Sequence, residues 1–173
     1  LNPLHCFVRQ HIEVFAADKD DISAPAPGRK RRVALGQVGL RCIHCAHLPP
    51  RNRVRRAACY PASVAGIYHS VSNMKFDHFG RCRDLPQQDR AHFNALRAAC
   101  SRHSLRTDGP RTGKRKTAAY NSTAQYYHDS AVRMGLVDDD SNTWIRFREA
   151  EPNKYKLESS KDKNEMHDGI AAL

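Results

Sequence analysis

A chain of 173 residues with 29 Lys and Arg against 18 Asp and Glu carries a net charge of +11, and its 40% hydrophobic content builds only a modest core. No apolar run approaches the roughly 18 residues of a membrane-spanning helix, and no secretory signal is visible in these residues. The charge is uneven: residues 22–76 contain no Asp or Glu but hold Arg29, Lys30, Arg31, Arg32, Arg41, Arg51, Arg53, Arg55, Arg56 and Lys75, whereas residues 138–173 carry nine acids against six bases.

The chain opens on Leu1 rather than Met, which reads as a processed product or a piece of a longer protein. Asn2 as a cap, Pro3 at the first helical position, and Leu4, Val8, His11/Ile12 and Phe15 at intervals of three and four predict a first helix over 2–17. "DKDDISAPAPGRKRR" has the composition of an exposed connection ending in basic residues. "RVALGQVGLRC" alternates around two glycines and predicts a short strand, a turn near Gly36 and a second extended piece leading into Cys42. "RRAACYP" can pair with it as another strand, and the segment after the knuckle has room for a short hairpin over 51–60.

From Pro61 the period changes. Val64, Ile67, Val71, Met74 and His78 fall on one face of a helix, with Gly80 as a stop and Cys82 just beyond. Pro86 opens a third helix with Phe93, Leu96 and Cys100 on one face. Tyr120, Ala124, Tyr127, Ala131 and Met134 mark a fourth, capped by Gly135, with Leu136 closing back onto its last turn. A turn at Asp138–Asp140 precedes a strand over 143–147 ("TWIRF"), expected beside "VGLR". Residues 149–173 are charged and polar and read as a flexible tail.

Six cysteines, four of them far apart, do not form a dense disulfide framework, and the close pair in an intracellular-looking chain favours metal or redox chemistry. The pattern is Cys42-x2-Cys45-x32-His78-x3-Cys82. A two-residue gap lets both thiolates reach one ion from a tight knuckle, and a four-residue step at a helix end turns His and Cys to the same side. Zinc accepts this sulfur–nitrogen set in a closed tetrahedron. A redox pair is disfavoured because no helix opens at the motif. His44, His47 and Cys59 are competing donors, each placed to displace His78 or Cys82. Four ligands leave no position for water, so the Zn2+ is read as structural rather than catalytic.

Cys6 and Cys100 lie on helix faces and read as core residues. His5, His11, His69, His92 and His128 share no spacing and read as surface or core residues; His103 favours a helix dipole. Tyr120, Tyr126, Tyr127 and Trp144 could stack bases, but Tyr120 and Tyr127 are read as core. No phosphate loop or catalytic triad emerges, and no small-molecule substrate is evident. A metal-dependent nuclease is disfavoured because such metals take carboxylates, and none precedes Asp77 in the central block.

The run "LGQVGLRCIHCA…ACYPASVAGIYHSVSNMKFDHFGRC…LP" resembles an uncharacterised zinc-finger-like module that recurs in predicted diatom and other stramenopile proteins. There, paired cysteines, a Tyr-Pro-Ser step, an Asn-Met helix and a closing His/Cys occur together. The likeness extends over roughly residues 4–148. It implies one compact unit and a zinc-like site, and transfers no catalytic residue. Cys59 departs from the small or aromatic residue expected beside Tyr-Pro, which leaves the ligand set open.

The expected fold is therefore α+β and small, a zinc-stabilised single domain over 1–148 with a zinc knuckle, a short β-hairpin and about four helices. Its parts are a helix at 2–17, the knuckle, hairpin and helix at 33–83, a helical part at 86–134 and a strand at 143–147. The expected function is nucleic-acid binding, DNA- or chromatin-associated, in the nucleus. Arg51, Arg53, Arg55 and Arg56 would meet phosphates, with Arg29, Lys30, Arg31, Arg32, Lys114, Arg115 and Lys116 extending that surface. The alternative is a protein-interaction module whose basic face meets an acidic partner.

Overall fold

The computed structural model describes residues 1–24, 31–106, 114–141 and 143–148, with the backbone alone for 101–106 and 114–121. Arg29, Lys30 and the tail at 149–173 lie outside these residues. Mixed α/β architecture is observed, with five helices and two small antiparallel sheets among the described residues.

Helix α1 (Pro3–Gln10) begins as its sequence dictates: Asn2 Oδ1 accepts from the His5 N–H at 2.8 Å, and Pro3 fills the first turn. It stops well short of residue 17. Residues Ile12–Ala16 form strand β1, the edge of a three-stranded sheet whose centre is Val38–Cys42 and whose far edge is Ala58–Cys59. Ile12 and Phe15 suit either a helical stripe or a strand. Pairing settles the choice, because all five residues of β1 find antiparallel partners in β2 (Val38–Cys42), from Ile12 opposite Cys42 to Ala16 opposite Val38. Across that ladder Glu13 and Arg41 form an ion pair at 2.6 Å.

Phe15 faces Gly39. A Cβ on Gly39 would stand 2.7 Å from Phe15 Cε1 and 3.0 Å from Tyr60 Cδ1, so both rings occupy the space that glycine leaves. Gly39→Ala is expected to cost about 1–3 kcal/mol through this overpacking, read as a lower urea midpoint with an unchanged m-value.

The expected exposed connection contains a short helix, α2 (Lys19–Ser23), closed by a reciprocal cap in which Asp18 accepts from the Asp20 and Asp21 N–H groups at 2.9 Å. Strand β3 (Ala58–Cys59) pairs with β2, as anticipated. Residues 51–60 are not themselves a hairpin, however. Pro50–Asn52 is a turn of 3-10 helix, and the antiparallel partner of β3 lies before the knuckle.

Helix α3 (Ile67–Asp77), preceded by the 3-10 turn Val64–Gly66, buries the expected stripe of Val64, Ile67, Val71, Met74 and His78. It ends before Gly80. Helix α4 (Gln87–Arg106) buries Phe93, and α5 (Lys114–Arg133) buries Tyr127 and Ala131. Met134, expected on the buried face, is exposed. The helix stops one residue earlier and the chain reverses at Gly135 (φ 79°), which turns Leu136 inward instead.

Leu136–Asp138 (β4) and Ile145–Phe147 (β5) make a second sheet, so "IRF" pairs with β4 and not with β2. Asp139 nucleates the intervening turn by accepting from the Thr143 and Trp144 N–H groups at 2.7 and 2.9 Å. Asp138 ties this sheet to the centre by accepting from the Val64 N–H at 2.6 Å. Leu4, Phe7, Val8, Val71, Met74, Phe79, Phe93, Tyr127, Leu136 and Ile145 meet in one core cluster. Among the described residues no helix is long and apolar enough to cross a membrane.

His5 is a core residue that joins three helices. Its Nε2 lies 2.9 Å from Lys75 Nζ and its Nδ1 3.2 Å from Tyr127 Oη. An ammonium only donates, so Nε2 accepts and Nδ1–H donates to the phenol, which fixes a neutral ring. Burial, then the charges of Lys75 and the N-terminus, lower its pKa to about 4. The unfolded chain therefore takes up a proton between about pH 6.5 and 4 that the folded chain refuses, and stability falls as pH drops through that window. The expected loss is on the order of 3 kcal/mol. Urea unfolding over a pH series should show a steeper acid loss for the wild type than for His5→Gln.

Candidate metal centre

Cys42 closes β2, and the 3-10 turn Ile43–Cys45 follows at once. The turn is held from two sides: the Cys42 N–H donates to Ala57 O at 2.8 Å, and the Ile43 N–H donates to His11 O at 3.2 Å. Both thiols thus face one direction from a fixed backbone. The other half comes from the end of α3. The N–H groups of His78 and Phe79 both donate to Met74 O, at 2.9 and 3.3 Å, and the Arg81 N–H donates to His78 O at 2.7 Å. That tightening swings Cys82 back beside His78. Arg90 of α4 then donates to the Cys82 and Leu85 carbonyls and pins the segment.

Cys42, Cys45, His78 and Cys82 converge, all buried, with their ligand atoms within 4.8 Å of one another. Cys45 Sγ lies 3.5 Å from Cys82 Sγ and 3.7 Å from His78 Nε2, and Cys42 Sγ lies 4.0 Å from Cys82 Sγ. A tetrahedral ion with bonds of about 2.3 Å to sulfur sets its ligands about 3.8 Å apart, which matches this spacing. The cluster is compatible with a bound metal ion.

The electrostatics point the same way. In the protein alone, a hydrogen bond to Cys82 and then burial push the Cys42 thiol up. Burial and then Cys82 raise Cys45 to about 12. Hydrogen bonds from Cys42, His78 and Cys45 outweigh burial and bring Cys82 down to about 3. Cys82 is thus the thiol most readily deprotonated. A divalent cation would make the other two thiolates favourable as well, releasing their protons.

The competing donors lie elsewhere. His44 turns toward His11, with His44 Nε2 2.9 Å from His11 Nδ1, while His47 is exposed and Cys59 sits on β3 outside the cluster. Cys6, expected in the core, is exposed, because α1 points Leu4, His5, Phe7 and Val8 inward and Cys6 away. Asp77 is not part of the cluster; it lies 3.8 Å from Arg56.

The basic residues divide into two groups. Arg31, Arg32, Arg51 and Arg55 are exposed, with no carboxylate partner among the described residues. Arg53 is turned inward, donating to Leu48 O and to Asp21 Oδ1, each at 2.9 Å. Arg56 is exposed beside Asp77 and adopts a left-handed backbone (φ 61°). Lys114, Arg115 and Lys116 lie in the first turn of α5. A cleft of about 290 Å³ joins Arg31 and Arg32 to Tyr60 and Trp144, a juxtaposition with no sequence spacing to announce it.

Comparisons with protein families, with curated proteins and with solved structures found no match.

Proposed function

We propose that Cys42, Cys45, His78 and Cys82 hold a structural Zn2+, and that the module so shaped binds nucleic acid through phosphate contacts, as a DNA- or chromatin-associated nuclear protein. The observation that carries this reading is the buried three-sulfur, one-nitrogen cluster bracketing a segment that displays arginines and no acid before Asp77. Three thiolates and one imidazole are a set that zinc takes in closed tetrahedral form, with no position left for water. The ion would serve the fold, and chemistry at the metal is not its role.

Exposed Arg31, Arg32, Arg51 and Arg55 supply the phosphate contacts, and the cleft between Arg31, Arg32, Tyr60 and Trp144 supports engagement of an unpaired base beside a phosphate. Four such contacts predict an affinity for duplex DNA that falls roughly 100-fold between 50 and 200 mM salt. Arg51→Ala or Arg55→Ala should each lower the slope of log K against log salt by about one. Fluorescence anisotropy with labelled duplex and single strands, challenged by a polyglutamate peptide, tests this directly. Affinity indifferent to salt would overturn it, and preference for the peptide would favour an acidic protein partner on the same surface.

A further inference from the structure

We propose a second metal site, open to solvent, formed by His11 Nδ1, His44 Nε2 and the Asp89 carboxylate, which takes a divalent first-row transition ion. These three donors lie within 4.8 Å of one another, and none belongs to the buried cluster. Three separate elements deliver them: the turn between α1 and β1, the knuckle, and the first turn of α4. All three residues are half-buried, so the site has protein on one side and water on the other.

The spacing of the two imidazoles is compatible with octahedral coordination. The two imidazole nitrogens stand 2.9 Å apart. Adjacent nitrogens around an octahedral ion with bonds of about 2.1 Å are separated by about 3.0 Å, against about 3.4 Å around a tetrahedral one. Two imidazoles and one carboxylate on one face of an ion are a donor set that leaves further positions for water or a ligand oxygen.

A simpler account exists for each part. One ring can hydrogen-bond the other, and a carboxylate in the first turn of a helix is favoured by the dipole. Neither reason accounts for an Asp89 oxygen lying within 4.8 Å of both ring nitrogens. The backbone is also prepared for the pairing, since the Ile43 N–H donates to His11 O at 3.2 Å and locks the knuckle to the residue that supplies the partner imidazole. The Phe7 ring, 4.1 Å from that of His11, restricts its rotation.

His44 lies between Cys42 and Cys45, so an ion in the buried cluster also aims His44. Occupancy of the open site therefore rises with occupancy of the closed one. The inference rests on the zinc reading only through that placement, and is independent of nucleic-acid binding.

The test is a titration of the zinc-loaded chain with Ni2+, followed by calorimetry and visible absorption, with a dye reporting released zinc. One Ni2+ per chain is expected, with weak octahedral bands, no sulfur charge-transfer band and no zinc release. His11→Ala and Asp89→Asn should each weaken it at least tenfold while retaining zinc and the circular dichroism of the parent. No binding beyond zinc, binding unchanged in both variants, or Ni2+ bound only by expelling zinc would each overturn the proposal. Should the chain hold no zinc, the sulfur charge-transfer band still separates Ni2+ at the cysteines from Ni2+ at the histidines, so failure of the first reading is distinguishable from failure of this one.

Discussion

On the proposed structural-zinc reading, chelation at neutral pH is expected to unfold the module, and Cys45→Ser or Cys82→Ser to do the same in the presence of zinc. The four ligands join the end of β2 to the end of α3, and all are buried. A structural zinc of this kind contributes about 10–16 kcal/mol in finger peptides, which matches or exceeds the roughly 5–15 kcal/mol that holds a whole domain together. Without an ion, the interior would enclose three thiols and an imidazole with no cation to draw them together. Near-ultraviolet circular dichroism from Trp144 should collapse on chelation and return with one equivalent of zinc. Cys6→Ser, at an exposed position, should change neither signal. A chelated chain that unfolded cooperatively at its original midpoint would refute the structural ion.

The second large effect concerns a residue that sequence alone assigns to phosphate. Arg53 and Asp21 form an ion pair at 2.9 Å with side chains only 9% and 1% exposed. Asp21→Ala would strand a guanidinium in the interior, at a cost of about 3–5 kcal/mol. Arg53→Ala would strand the carboxylate, to similar effect. Replacing both by apolar residues of similar volume, Asp21→Val with Arg53→Met, should recover much of the loss, because the pair's desolvation cost disappears with it. Urea denaturation reads the stability, and DNA binding supplies the contrast: Arg53→Ala should leave the salt slope of the folded fraction unchanged, whereas Arg55→Ala should change the slope and leave stability within about 0.5 kcal/mol.

These two residues show where sequence reasoning reaches its end. Two residues separate Cys42 from Cys45 and three separate His78 from Cys82, so each half of the buried cluster is announced by local spacing, and the stripe on α3 points the second half inward. Asn2 and Pro3 at the start of α1, and Gly135 at the end of α5, are likewise local signals with local causes. Arg53 finds its carboxylate 32 residues upstream, and nothing in "RNRVRR" distinguishes it from Arg51 or Arg55. The second half of the expected helix at 2–17 failed for a related reason. Its apolar residues fit two periods, and the deciding partner, β2, follows only after an intervening segment. His11, His44 and Asp89 share no spacing at all, and the fold alone makes them neighbours.

The order of the ligands along the chain bears on biosynthesis. Cys42 and Cys45 emerge first from the ribosome, and 32 residues separate them from His78. Closing a loop of that length costs about 3 kcal/mol of chain entropy, which two sulfurs cannot offset without their distant counterparts. A nascent polypeptide ending before residue 82 therefore could not complete the proposed tetrahedron, and an ion would be locked in place only once α3 and the segment after it, which carries Cys82, have been made.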